Sequence, residues 1–152
     1  MKDAVRAILL LIVACSITSH SAEIDKDKIE KEVMVVLDEF MASFSAGDAE
    51  RHPETYHFPH YRLARGTMSV WETKEDAIRA HVTIFEVLPD TGWHHSAWVH
   101  RRFVTIGENK VHVDTRFGRY REDGSEIGTY DSLYVLTKKD GRWAVKMRSS
   151  FL

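Results

Sequence analysis

Asp123-Gly124 and Asp140-Gly141 divide the C-terminal part of the chain into three runs of alternating side chains. A type I′ turn needs positive φ at both central residues, and Asp-Gly adopts it at little cost. Each pair therefore predicts a two-residue hairpin loop, and the three runs an antiparallel meander. The register follows directly. Phe117 is set against Tyr130, Thr115 against Ser132, Val113 against Tyr134 and Val111 against Leu136. Across the second loop Leu136 faces Val145, Tyr134 faces Met147, Ser132 faces Ser149 and Tyr130 faces Phe151. Side chains alternate with period two, so all of these share one mostly apolar face, the core face. The opposite face carries His112, Asp114, Arg116, Tyr120, Ile127, Thr129, Asp131, Leu133, Val135, Lys146 and Arg148. A slip of one residue would turn the apolar set out to water, which makes the register hard to lose.

Upstream, Ile29, Val33, Val36, Leu37, Phe40, Met41 and Phe44 form one continuous helical stripe. Asp27 with Glu30 gives a start resembling a capping box, and Gly47 is placed to end the helix. Asp48 caps a short second helix that stops before Pro53. A loop containing His57, Phe58, Pro59 and His60 follows, then a short strand over 61–68. Thr73 with Asp76 opens a third helix that faces Ala77, Ile78, His81, Ile84, Phe85 and Leu88 inward, and Pro89 and Gly92 end it. A long strand over about 94–106 enters the meander through Gly107-Glu108-Asn109; whether that loop holds two or three residues decides which way His100 points.

The 152 residues suffice for one domain, burying about two-thirds of its unfolded surface. With 21 basic and 23 acidic residues the charge is nearly balanced, which argues against a nucleic-acid partner. Residues 1–22 read as an export signal: Lys2 and Arg6 precede an apolar run, Ala7 to Ala14, far too short to span a bilayer. Two processing routes fit. Ile12-Val13-Ala14-Cys15 resembles a lipobox, with cleavage after Ala14 leaving a lipidated Cys15; Ser19-His20-Ser21 instead offers small residues to a signal peptidase. Residues 23–152 then form the single domain, in the bacterial periplasm or lipid-anchored to the cell envelope. Its only membrane partner is through that anchor. Cys15 is the chain's single cysteine, so the domain has no disulfide.

Helix, helix, short strand, helix and four long strands is the order of an α+β cone, a curled antiparallel sheet packed on three N-terminal helices. In Phe40-Met41-Ala42-Ser43-Phe44-Ser45-Ala46-Gly47-Asp48 and Asp140-Gly141-Arg142-Trp143 the chain resembles the nuclear transport factor 2-like superfamily, and within it the SnoaL-like branch. The resemblance covers residues 29–152. It implies a cone with an apolar cavity and often a homodimer through the outer sheet face, where Ile127, Leu133 and Val135 make an apolar strip. It does not imply a reaction, because this fold hosts isomerases, dehydratases, hydrolases and binding domains.

The side chains expected around the cavity are Phe40, Phe44, Phe58 and Phe85 from the helical and loop segments, with Thr115, Phe117, Tyr130, Ser132, Tyr134 and Met147 from the sheet. An isomerase of this fold needs a carboxylate base, yet Asp114 and Asp131 fall on the outer face and the core faces of the last three strands contain no carboxylate. The catalytic candidates are therefore His57, His60 and His81 as base, with Tyr130 or Tyr134 as hydroxyl donor. The pairs His57-x-x-His60 and His94-His95 lack the spacing of a metal site, and no phosphate loop, nucleophile elbow or dinucleotide fingerprint is present. No metal or cofactor is expected. The expected function is an exported domain that binds a small apolar molecule; the alternative is a cofactor-independent isomerase, dehydratase or hydrolase of the SnoaL-like type.

Overall fold

Apolar residues at helical spacing produce the first helix, α1 (Lys26–Ser45), with Ile29, Val33, Leu37, Phe40 and Phe44 buried along one stripe. The computed structural model describes residues 24–152; the export signal, the lipobox and Cys15 lie outside the described residues. The cap of α1 is Asp25, whose carboxylate accepts from the Lys28 amide at 3.0 Å. Asp27, expected as the cap, sits in the first turn and complements the helix dipole there. Gly47, at φ 65°, turns the chain out of the helix.

The expected second helix is only a 3-10 turn, His52–Thr55, with Pro53 at its start rather than beyond its end. Asp48 does cap the preceding bend, accepting from the amides of Glu50 and Arg51. Among the described residues the cone therefore packs on two α-helices, not three. The segment expected as a histidine loop is a strand, β1 (Tyr56–Ala64), which turns through Arg65-Gly66 into β2 (Thr67–Trp71). Arg65 and Gly66 have φ of 52° and 71°, a third tight hairpin loop that composition alone conceals. The second helix, α2 (Lys74–Val87), carries the full Thr73–Asp76 capping box and buries Ala77 and His81.

Four long strands complete the sheet: β3 (His95–Ile106), β4 (Lys110–Tyr120), β5 (Glu126–Lys139) and β6 (Arg142–Ser150). The order is β2-β1-β6-β5-β4-β3, antiparallel throughout except for the parallel β1–β6 pair. Both α-helices pack on its concave face around a core that includes Val33, Leu37, Phe40, Tyr134 and Leu136. The Asp-Gly-Arg-Trp segment ties β6 to its surroundings. Trp143 Nε1 and Lys138 Nζ both donate to Glu32 of α1 at 2.9 Å, and Arg142 donates to the carbonyls of Glu54 and Tyr56.

The β4–β5 ladder has the expected register, from Val111–Leu136 to Arg119–Gly128. Near its loop Ile127 bulges, so that Tyr120 meets Glu126 and the loop at Asp123-Gly124 is longer than two residues. Asp140-Gly141 is the two-residue loop expected, with φ of 52° and 77°. Beyond Leu136–Val145, however, Lys146 is an unpaired extra residue. Val135 then meets Met147, Tyr134 meets Arg148 and Ser132 meets Ser150. A bulge of this kind re-aims every side chain that follows it. Met147 moves to the outer face beside Val135, while Arg148, expected outside, turns into the core and is 7% exposed. Phe151, expected inside opposite Tyr130, is 79% exposed. Bulges at Val99 and Val104 set the phase of β3, and His100 points outward, 3.2 Å from Asp114.

Candidate functional site

The concave face divides into a filled region and an empty one. The filled region is a stack of neutral aromatic rings around Tyr56. His60 lies on Tyr56 with centroids 3.9 Å apart, and Trp71 continues the stack 5.3 Å from His60. His60 Nδ1 lies 3.0 Å from the Val145 carbonyl, an acceptor only, so this nitrogen carries the proton and donates. By the same argument His81 Nδ1 donates to Ala77 O at 2.8 Å. That leaves His81 Nε2 to accept from the Tyr56 hydroxyl at 3.2 Å, and Tyr56 Oη in turn accepts from Arg148 at 3.3 Å. His52 hydrogen-bonds Ser43 at 3.0 Å and packs edge-on against Phe40.

Burial holds these imidazoles neutral. It pushes His60 down to about 2 and His81 down to about 4, with the Arg148 charge the next cause in each case. His52 is lowered well below its usual value by burial and by His81 and Arg148. The Tyr56 hydroxyl is raised by burial. The Nε2 atoms of His52 and His60 are buried without a hydrogen-bond partner among the described residues.

The empty region is a cavity of about 290 Å³ between the helices and the sheet. One wall is apolar: Phe40, Met41 and Phe44 from α1, and Ile84, Val87 and Leu88 at the end of α2. The sheet wall carries Phe117 and Tyr134 together with Arg62, Arg119 and Arg148; Arg65 comes from the β1–β2 loop. Ser96 and Ser150 add hydroxyls. No Asp, Glu, His, Cys or Lys lines it among the described residues.

Each arginine reaches the cavity for a local reason. Arg62 and Arg148 are cross-strand partners of the parallel β1–β6 pair, and the Lys146 bulge turns Arg148 inward. Arg119 continues the inward alternation Thr115, Phe117, Arg119 one step beyond the apolar run. The Arg148 guanidinium lies over Phe40, Tyr56 and Trp71 at 5.3, 5.9 and 5.8 Å, where ring faces stand in for a counter-charge. Arg119 lies over Tyr130 at 5.3 Å. Burial lowers Arg62 to about 10, with Arg148 the next cause, and lowers Arg119 as well. Both stay charged at neutral pH.

Of the residues expected from sequence, Phe40, Phe44, Phe117 and Tyr134 line the cavity. Phe58, Phe85, Thr115, Tyr130 and Ser132 do not. Phe58 and Phe85 pack beside aromatic neighbours, Tyr56 and Phe44 respectively; Thr115 bonds the Ser132 carbonyl within the sheet; Tyr130 carries Arg119. Met147 is on the outer face. The catalytic candidates are scattered. His60 and His81 belong to the filled stack, and His57 sits against Thr137 at 2.9 Å. His57 is lowered to about 4 by burial and by Arg142, Lys146 and Lys139. Sequence reasoning missed all four arginines. Only Arg119 had a readable signal, its parity with Phe117.

A curled sheet packed over two helices, with a cavity between them, defines a small cone-shaped α+β fold. The family model for NTF2-like protein (DUF6841) matches residues 31–148, and the chain belongs to this NTF2-like family. None of the curated proteins compared matches the chain. Among solved structures it is similar to an NTF2-like protein with a cystatin-like fold from Novosphingobium aromaticivorans. The TM-score is 0.70 at 11% identity, covering 84% of this chain and 83% of that one. A ketosteroid isomerase-like protein from Erwinia carotovora atroseptica gives a TM-score of 0.62 at 15% identity, covering 80% and 93%. A structure from Catenulispora acidiphila in complex with S-DNPA gives 0.66 at 17% identity, covering 82% and 93%. Likeness at these identities establishes the fold.

Proposed function

We propose that the domain is an exported small-molecule-binding protein that holds a largely apolar ligand in the cone. The observation that carries this reading is the cavity of about 290 Å³, near the lower end of the size range of ligand sites and built as they are, from apolar walls with a few convergent polar groups. Binding is favoured over isomerase, dehydratase or hydrolase chemistry because, among the described residues, no Asp, Glu, His, Cys or Lys side chain touches the cavity to act as base. The imidazoles that could serve are directed at Val145 O, Ala77 O and Tyr56 instead. Within the superfamily the reading keeps the chain in the SnoaL-like branch, on the α1 segment 40–48 and the Asp-Gly-Arg-Trp segment.

Export rests on the signal over residues 1–22, with release near Ala22 and lipidation at Cys15 as its two routes. Dimerisation rests on the outer face, where Leu133 is 41% exposed beside the Arg116–Asp131 and Arg102–Asp114 ion pairs.

Native mass spectrometry of the protein purified from a bacterial periplasm tests the binding reading. The expected result is a protein carrying a small mass that leaves on denaturation. A species that stays empty, and takes up no small molecule from an added panel, would sink it. The same spectra report the mature N-terminus and the dimer.

A further inference from the structure

Four arginines line one cavity, and none of them makes an ion pair among the described residues. The pairs that do form involve other cations: Arg51, Lys74, Arg79, His100, Arg101, Arg102, Arg116 and Lys138. This is unusual bookkeeping for buried charge. A guanidinium removed from water is costly unless an anion or a full set of acceptors replaces its hydration. Arg148 is 7% exposed, and its Nε has no acceptor among the described residues; the same holds for Arg119 Nε. Ring faces and the Tyr56 hydroxyl offset part of the cost at Arg148. They do not neutralise it, and Arg62 stands at the adjacent cross-strand position. Like charges gathered around a space raise one another's free energy, and a bound anion relieves all of them together.

The opposite wall excludes a bare inorganic anion as the natural occupant, because Met41, Phe44, Ile84 and Val87 offer it nothing. We propose that the cavity takes an amphipathic organic acid, its carboxylate seated among Arg148, Arg119 and Arg62 and its apolar body against Met41, Phe44, Ile84 and Val87. The planar guanidinium fork suits a carboxylate, which it can bind through paired N–H donors. Arg65, exposed on the β1–β2 loop, sits at the rim and draws the anion in. This inference rests on the small-molecule reading above and narrows it from an apolar ligand to an anionic one.

Calorimetric titration of the protein, expressed from the full chain, with octanoate, decanoate and 4-phenylbutyrate tests it, against the corresponding amides and inorganic phosphate. The acids should bind, each roughly tenfold or more tighter than its amide, since a hydrogen bond to a charged group is worth about one to two decades of affinity. Phosphate alone should bind far more weakly than the best acid. Arg119→Gln, a half-buried position, should cost roughly ten- to a hundredfold in acid affinity and leave the amide unchanged. Arg65→Gln should cost less. Circular dichroism and melting keep a folding defect apart from a binding defect. Acids and amides that bind within twofold of each other would overturn the inference while leaving the small-molecule reading intact. Phosphate binding as tightly as the acids would overturn it in favour of a simple anion site. Failure of every acid and every amide to bind would remove both.

Discussion

The histidine stack and the cavity wall lie side by side on one concave face, meet at Arg148, and treat charge in opposite ways. In the stack every titratable ring is kept neutral, and the chain Arg148–Tyr56–His81–Ala77 aligns donors with acceptors. On the wall, cations are gathered with no Asp or Glu side chain in the lining among the described residues. Apart from the Nε2 atoms of His52 and His60, the stack turns its polar atoms on internal partners, whereas Arg119 and Arg148 on the wall keep an Nε without an acceptor among the described residues. Buried polarity is therefore no single signature. It stabilises where neutral groups find internal partners, and it points to a site where charged groups without partners gather around a cavity.

Acid breaks the stack before it touches the wall. His60 and His81 are about 2 and about 4 in the fold, below the unfolded value near 6.5. Between these values the unfolded chain binds protons that the folded chain does not, so stability is complete above pH 6.5 and falls as the pH drops. Each such histidine contributes a loss of about 1.4 kcal/mol per pH unit within its window. Going from pH 6.5 to pH 5 should cost on the order of 3 kcal/mol from His60 and His81, and His52 is lowered in the same direction. Urea unfolding across that range measures it; a flat profile would show that the rings are not buried neutral.

Trp71→Ala removes the end of the stack. It should cost about 3–5 kcal/mol, as large aromatic truncations in cores do. Urea midpoints at pH 7.5 check this, and acid affinity in the surviving folded fraction should change only modestly. Arg148→Met inverts the pattern. An unbranched apolar side chain keeps contact with Phe40, Tyr56 and Trp71 and removes an unpaired buried charge, so stability should rise on the order of 1 kcal/mol. Acid binding should fall below detection. A variant that is both less stable and unaltered in binding would place Arg148 in the stack rather than in the wall.

How much of this was legible follows the same division. The β4–β5 ladder could be read residue by residue, because apolar alternation and a buried face leave one register. The first residues of β6 could be read from the two-residue Asp140-Gly141 loop. Nothing local announces the bulge at Lys146, which arises where β6 must serve β5 on one side and β1 on the other. That one inserted residue exchanged Met147 for Arg148, and with it an apolar cavity for a partly cationic one. β1 was concealed for a related reason: Tyr56-His57-Phe58-Pro59-His60 has no period-two pattern, since its pairing with β6 is broken between Tyr56 and Tyr61. Arg62 did fall in the strand expected over 61–68, but that strand ran through the Arg65-Gly66 turn, so its partners and its inward direction could not be read. The cone itself survived these errors because it depends on element order and the long ladders, whereas the site depends on the parity of single residues.

The smallest effect sharpens the wall itself. Arg119 is paired across the ladder with Gly128, and a Cβ on Gly128 would meet the Tyr130 hydroxyl at 3.1 Å. The absent side chain lets the Tyr130 ring lie across this position, where it carries the Arg119 guanidinium at 5.3 Å. Tyr130 thus positions a cavity cation without lining the cavity. Tyr130→Leu should leave the melting temperature nearly unchanged and weaken acid binding by roughly two- to fivefold, the worth of one partly exposed cation–π contact of about 0.5–1 kcal/mol. In Arg119→Gln the same substitution should have no further effect on affinity, because the contact it removes is already gone. Additive losses in the double variant would mean that Tyr130 acts on the ligand directly, and that the wall extends one strand further than its geometry indicates.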